Sequence, residues 1–406
     1  MQSATPTLRR SMGLGLITLY GLGNILGAGI YVLVGKVAGA AGIYAPLAFI
    51  IAAAVATFTA FTYGELAARH PVSAGEAVYV DVAFHIKTLS IAVGLLIALA
   101  GMVSAATLVR GFVGYLQIFV DWPEALIMFV LVAGLGALAA WGIKESARVA
   151  ALLTLIEVGG LLLIVAVAGE RWADLPDYIN RLTASDQGFE WQGIMLGAFL
   201  AFYAFIGFED MVNVAEEVEY PERNLPLGII IALVVSTVVY LAVIVAALLS
   251  LPVDELQSSD APLALVYAAA TGRSPVVISV IGLFAVVNGA LIQIIMASRV
   301  FYGMAARGWL PEWFGRVNAK TNTPVLATIA VSVAVFSFAL WVPLAGLAGA
   351  TSALILVVFF LVSAALIALK IREPMPAGIK TIPIWVPAAG SLVALGLLSA
   401  QVWFSV

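Results

Sequence analysis

Gly21-Leu22-Gly23-Asn24-Ile25-Leu26-Gly27-Ala28-Gly29-Ile30-Tyr31 is the stretch that decides the fold. It lies inside an apolar run, residues 13–38, long enough to cross a bilayer. Glycine in a helix costs roughly 1 kcal/mol against alanine, so four glycines beside an asparagine argue against a continuous helix. Irregular backbone at membrane depth survives only where protein buries it or where it lines a wet cavity. The stretch therefore reads as a broken transmembrane helix facing a site. Its second half would aim free N–H groups and a positive dipole end at an anion. Gly23 and Gly27 also have the spacing of a helix-dimer motif, which explains two small residues but not four glycines with Asn24. A phosphate loop fails, because Gly29 to Gly35-Lys36 is one residue too long and Val37 stands where a hydroxyl would hold magnesium. A dinucleotide fingerprint fails on the spacing of Gly21, Gly23 and Gly27.

The chain has 406 residues, 63% hydrophobic and 10% charged, where soluble domains carry about 25% charge. That composition belongs to an all-α polytopic membrane protein. A net charge of −4 gives no reason to expect nucleic acid as a partner. The absence of cysteine excludes disulfides and thiolate metal sites, and no cofactor or metal is expected. His70 and His85 fall near helix ends and read as interfacial side chains. The first apolar run is too long for a signal peptide and lacks a small-residue cleavage site.

A span needs about 20 apolar residues. That ruler gives eleven: 13–38, 41–67, 88–119, 124–141, 147–169, 191–218, 226–250, 275–303, 324–341, 344–370 and 383–405. Residues 253–272 read as a short interfacial helix within a loop, and 170–190 as the most polar loop. With the N-terminus in the cytoplasm, only Lys36, Arg110, Arg171, Arg181 and Arg273 of the 19 Lys and Arg fall outside. This bias sets the N-terminus inside and the C-terminus, after eleven spans, outside.

The sixth span carries Phe205-Ile206-Gly207-Phe208-Glu209-Asp210. Carboxylates in an apolar span are expensive and usually functional. Glu209 would alternatively cap a second half-helix, which also requires a break near Gly207. Two interrupted spans, five apart and entering from opposite sides, are the mark of a five-plus-five inverted repeat with a midplane site. The division is 1–12, N-terminal segment; 13–169, first repeat; 170–190, outer loop; 191–371, second repeat; 372–406, loop and eleventh span.

At these residues the chain resembles the amino acid–polyamine–organocation superfamily. Gly23 to Tyr31 looks like its first-helix signature. Phe205 to Glu209, then Ala215-Glu216-Glu217 through Arg223-Asn224-Leu225-Pro226, resembles its sixth helix and following loop. Ala297-Ser298-Arg299 to Gly308-Trp309-Leu310-Pro311 resembles its loop after the eighth helix, and Tyr63-Gly64-Glu65-Leu66 the end of its second. The resemblance implies a secondary amino acid transporter, near the bacterial branch related to cationic amino acid transporters. The family often has twelve helices, against eleven here. Many relatives carry a lysine midway along the fifth helix in place of a sodium ion, where this chain has Glu157.

An amino acid zwitterion then sets the expected site. Its carboxylate suits the N–H groups of Gly27, Ala28, Gly29 and Ile30. Its ammonium suits carbonyls freed around Asn24, Ile25, Phe205, Ile206 and Gly207. Phe202, Phe205 and Phe208 are the candidate aromatic gates. Ser104, Asn288 and Ser352 are polar groups able to touch a side chain or to bridge helices. Glu65 is expected to be solvated, and Glu209, Glu216, Glu217 and Arg223 to form a cytoplasmic gate. Glu157 lies at mid-membrane depth, so it is expected to be protonated or paired, either as a coupling group or as a clasp to the first helix. The predicted function is alternating-access transport of L-amino acids in a bacterial inner membrane, with proton coupling or exchange. The competing reading is a channel or nutrient sensor on the same fold. An enzyme is disfavoured, because no nucleophile–base pair or metal cluster is visible in the sequence.

Overall fold

The computed structural model describes residues 8–117, 121–183, 191–259, 261–341 and 344–404. The first span is two helices, α1 (Leu14–Leu26) and α2 (Ala28–Ala41), parted at Gly27 (φ −46°, ψ −158°). Then come α3 (Ala45–Arg69), α4 (Gly75–Phe84), α5 (Lys87–Leu116), α6 (Glu124–Trp141), α7 (Ile143–Val167) and α8 (Leu175–Thr183). The sixth span is α9 (Trp191–Phe205) followed, after an interruption, by the 3-10 segment Glu209–Glu217. The chain continues as α10 (Pro221–Ser250), α11 (Val253–Ser258), α12 (Pro262–Thr271), α13 (Val276–Ala306), α14 (Val325–Trp341), α15 (Leu344–Arg372) and α16 (Trp385–Phe404). Among the described residues nine helical segments are long and apolar enough to span a bilayer, and α14 and α16 are shorter apolar helices at the expected positions of the ninth and eleventh. The only β pairing described is an isolated bridge between Met12 and Val218.

Four departures from expectation have physical reasons. α4 is a ten-residue helix packed on α5 and α15, too short and too polar for a span-length ruler to find. Residues 253–272 form two helices, because Pro262 starts a new one. The fifth helix begins at Ile143, four residues early, because its first turn carries Lys144 and Glu145. α13 runs to Ala306, so Ala297–Ala305 is helix rather than loop, and Arg299 is fully buried within it. His70 and His85 do stand at helix ends, as the C-caps of α3 and α4.

The packing exchanges the first five spans for the second five. α1 packs on α10 as α9 packs on α3, α7 on α13 as α15 on α5, and α6 on α13 as α14 on α5. The pairs α3–α10 and α5–α13 cross between the halves. This is the exchange an inverted repeat requires. α16 lies outside it, on α15 and α3. Lipid gives no hydrophobic force between helices, so small residues set the close approaches. Gly197 of α9, for example, faces Ala41 of α2 and Ala48 of α3.

Candidate functional site

The first break leaves the opening N–H groups of α2 without a side-chain cap. Of the carbonyls it frees, Ile25's is taken by the Tyr240 hydroxyl at 2.5 Å, and the same hydroxyl lies 2.8 Å from the Ala204 carbonyl. One tyrosine of α10 thus ties together the ends of both half-helices. At the second break Gly207 has φ +134°, where a Cβ would press into Asn24, so only glycine fits. The Glu209 carboxylate accepts the Gly207 N–H at 2.7 Å. It therefore holds the loop before the second half-helix rather than capping the helix itself.

The breaks are joined by side chains. Asn24 Nδ2 donates to the Gly207 carbonyl (2.9 Å) and to Asp210 Oδ2 (2.5 Å). Gln293 Nε2 of α13 donates to the same Asp210 oxygen at 2.7 Å and to Asn24 Oδ1 at 3.3 Å. Beside this triangle is a cavity of about 70 Å³, lined among others by Gly27, Gly29, Ser104, Tyr203, Glu209 and Asp210. It exceeds several-fold the roughly 10–15 Å³ that a single water needs. Its wall carries two carboxylates and no Lys or Arg among the described residues. Gln293 Oε1, in the same lining, has no hydrogen-bond partner.

Of the expected site residues, Asn24, Ile25, Gly27, Gly29, Ser104, Ile206 and Glu209 line the cavity. The side chains of Ala28 and Ser352 lie outside the described residues. Ile30 is buried away from it, and Gly207 contributes its carbonyl to Asn24 instead. The three phenylalanines expected as gates are not in the lining of this cavity. Phe205 packs against Phe49 and Tyr240, and Phe202 and Phe208 pack against Phe359 on α15. Tyr203, between them in sequence, is the aromatic that reaches the lining. Gln293 and Tyr240 were not singled out from the sequence, and Asp210 was given no role in the site. Only Asp210 had a signal there, as a carboxylate in an apolar span.

The expected gate is corrected at the face where α1 begins. Glu217 pairs with Arg299 at 3.2 Å, both fully buried, while Arg223 is exposed on the first turn of α10. Glu216 accepts from the Ser73 N–H (3.0 Å) and the Tyr302 hydroxyl (3.3 Å). The segment before α1 is stitched on by the Ser11 and Met12 N–H groups, both donating to the Glu217 carbonyl. Glu65 is not solvated. It is buried with Arg69 at 2.7 Å and Lys370 at 2.8 Å, and accepts the Ile382 N–H at 2.7 Å. A carboxylate near a helix end reads as exposed until a second helix and a loop close over it.

Two broken helices joined across a polar cavity, inside a mirrored set of spans, fit the sequence profile described as amino acid permease, which matches residues 14–406. The chain belongs to the amino acid permease family. It is 30% identical to the branched-chain amino acid permease BcaP of Bacillus subtilis, covering 100% of this chain and 90% of that one. It is 29% identical to the vacuolar cationic amino acid transporter 4 of Arabidopsis thaliana, over 87% of this chain and 62% of that protein. It is 26% identical to the methylthioribose transporter of Bacillus subtilis, over 92% and 84%. These are permeases and transporters, not enzymes.

In this permease the fifth helix reaches the first by a hydroxyl, not by Glu157. Thr154 Oγ1 lies 3.1 Å from the Leu19 carbonyl and accepts from Asn288 Nδ2 at 3.0 Å. A Cβ on Gly23 would collide with both Thr154 and Asn288, which explains that glycine. Glu157 Oε1 accepts from Asn288 Nδ2 at 2.9 Å, while Oε2 is buried without a partner. Its link to the first span is through its carbonyl, which accepts from the Tyr31 hydroxyl at 2.8 Å. Asn288 is therefore part of the α7–α13 junction, and is not in the cavity lining.

Proposed function

We propose that this permease carries L-amino acids by alternating access, with the substrate held between the two breaks. The substrate carboxylate takes the free N–H groups at the start of α2. The ammonium takes Asp210 and the unpartnered Gln293 Oε1. The observation that carries this reading is one cavity whose lining includes both the start of α2, with its uncapped amides, and two carboxylates. A zwitterion completes both ends at once. Gly29→Val would project a side chain into that space and should abolish binding in a protein that still folds. Amino acid amides, which lack the carboxylate, should compete poorly against labelled substrate. Equal competition by amides would sink the carboxylate assignment. A thermal-shift screen against all amino acids and polyamines identifies the side chain carried, since a ligand of the folded state raises its apparent stability.

Coupling by a proton, carried by Glu157, is the finer part of the proposal. It is supported by the unpartnered Oε2 of a buried carboxyl that sits fourteen residues into α7, roughly 21 Å along the helix. A channel would show no trans-stimulation in a counterflow assay, whereas an exchanger or symporter would. The proposed topology is N-terminus inside and C-terminus outside, on the positive-inside bias. A reporter fused after Val406 should be active only outside the cytoplasm.

A further inference from the structure

A second cavity, of about 400 Å³, opens at the face where α1 begins, far along α7 from the substrate site. Its lining includes Arg9, Ser11, Trp141, Gly142, Lys144 and Lys320. Three cations face it against one carboxylate, Glu145. None of the three is in an ion pair among the described residues, where the pairs involve only Arg69, Lys370 and Arg299. The cavity also receives the start of α7, a 25-residue helix whose N-cap, Gly142, offers no side chain. The first N–H groups of that helix have no side-chain cap, and the Glu145 carboxylate lies over Gly142 beside them.

What separates this from an ordinary basic surface is the feature beside it. An apolar groove, also of about 400 Å³, runs between α6 and α14, lined by Gly136, Ala137, Ala140, Val325, Ile329 and Phe336. The two cavities are lined by consecutive residues at the end of α6. Ala140 of the groove is followed by Trp141 and Gly142 of the basic cavity, and the Thr323 hydroxyl donates to the Ala140 carbonyl at 2.7 Å, fixing the loop that carries Lys320. Trp141 is 67% exposed at this junction, as an aromatic at a headgroup level is. A cationic cavity beside a lipid-facing groove matches a molecule with an anionic head and an acyl tail.

We propose that this site holds an anionic phospholipid, its phosphate among Arg9, Lys144 and Lys320, its tail in the α6–α14 groove. Basic pockets between helices on the cytoplasmic side are a recurrent form of anionic-lipid recognition. The lipid also bridges parts that have no covalent reason to stay together. Arg9 belongs to the segment that seals this face through the Glu217 carbonyl, and Glu219 N–H donates back to Met12. Lys144 and Lys320 belong to α7 and to the loop before α14. Bound lipid therefore pins the closed position of the segment leading into the first broken helix. This last step rests on the alternating-access reading, whereas binding of the lipid does not.

The test uses the full chain in nanodiscs of phosphatidylcholine with or without phosphatidylglycerol. Phosphatidylglycerol should raise the unfolding temperature. K144Q/K320Q, at exposed positions, should cut that rise to less than half, and so should Ala137→Phe, which fills the groove from its exposed side. Inorganic phosphate should have no comparable effect. No rise over phosphatidylcholine alone, or an equal rise from inorganic phosphate, or a rise undiminished in Ala137→Phe, overturns the lipid site. The clamp is read separately, since the chain has no cysteine of its own. Maleimide labelling of Val218→Cys, a buried partner of Met12, should slow at least threefold with phosphatidylglycerol, and the slowing should vanish in K144Q/K320Q. Unchanged labelling with intact lipid binding overturns the clamp alone.

Discussion

The central cavity and the face where α1 begins both bury carboxylates, and they treat them oppositely. At the face, Glu65 has Arg69, Lys370 and a backbone N–H, and Glu217 has Arg299. Every one of these charges is completed by the protein. In the centre, Asp210 and Glu209 are held by neutral donors only, and Gln293 Oε1 in the lining has no partner among the described residues; at the neighbouring α7–α13 junction Glu157 Oε2 and Asn288 Oδ1 have none either. Buried polar groups left incomplete are unfavourable unless something else completes them. On the proposed reading, the centre leaves polar groups for a substrate to complete, whereas the face pairs its charges within the protein.

The largest expected effect is at the face. Arg299→Met strands the Glu217 carboxylate and should destabilise the protein by about 3–5 kcal/mol, with most of that recovered in the double variant Arg299→Met/Glu217→Leu. Thermal unfolding of the single and double variants checks it, and equal losses in both would mean the pair is not what seals this face. Next comes Asp210→Asn in the centre. Losing a charge-assisted contact of about 1.5–3 kcal/mol should weaken substrate binding roughly 10- to 100-fold, with little change in unfolding temperature. A stability loss as large as that of Arg299→Met would erase the contrast between the regions. Glu157→Gln sharpens it further, because the amide keeps size and hydrogen bonding but cannot titrate. It should still bind and exchange substrate and should lose uptake driven by a pH gradient. Retained concentrative uptake would leave Glu157 as a clasp. The smallest effect belongs to Tyr240→Phe, which removes one neutral hydrogen bond at the paired breaks. It should cost about 1 kcal/mol, read as a roughly fivefold loss in transport rate or affinity.

The sequence by itself determined that this is a polytopic helical protein, where its spans lie, and which two are broken. Those facts rest on local quantities: twenty-residue apolar runs, four glycines with an asparagine, and two carboxylates where hydrocarbon should be. The family followed from the same motifs. Tertiary structure alone decided which polar groups meet. Glu217 pairs with Arg299, eighty-two residues away, rather than with the nearby Arg223, because packing buries Arg299 against Glu217 and leaves Arg223 exposed on the first turn of α10. Gln293 and Tyr240 look like ordinary residues of apolar helices until α13 and α10 cross the two breaks. Phe202, Phe205 and Phe208 look like cavity-lining rings until α3, α10 and α15 cover them. A break in a helix is written in its own residues, whereas the partner of a buried polar group depends on which distant helix face is rotated toward it.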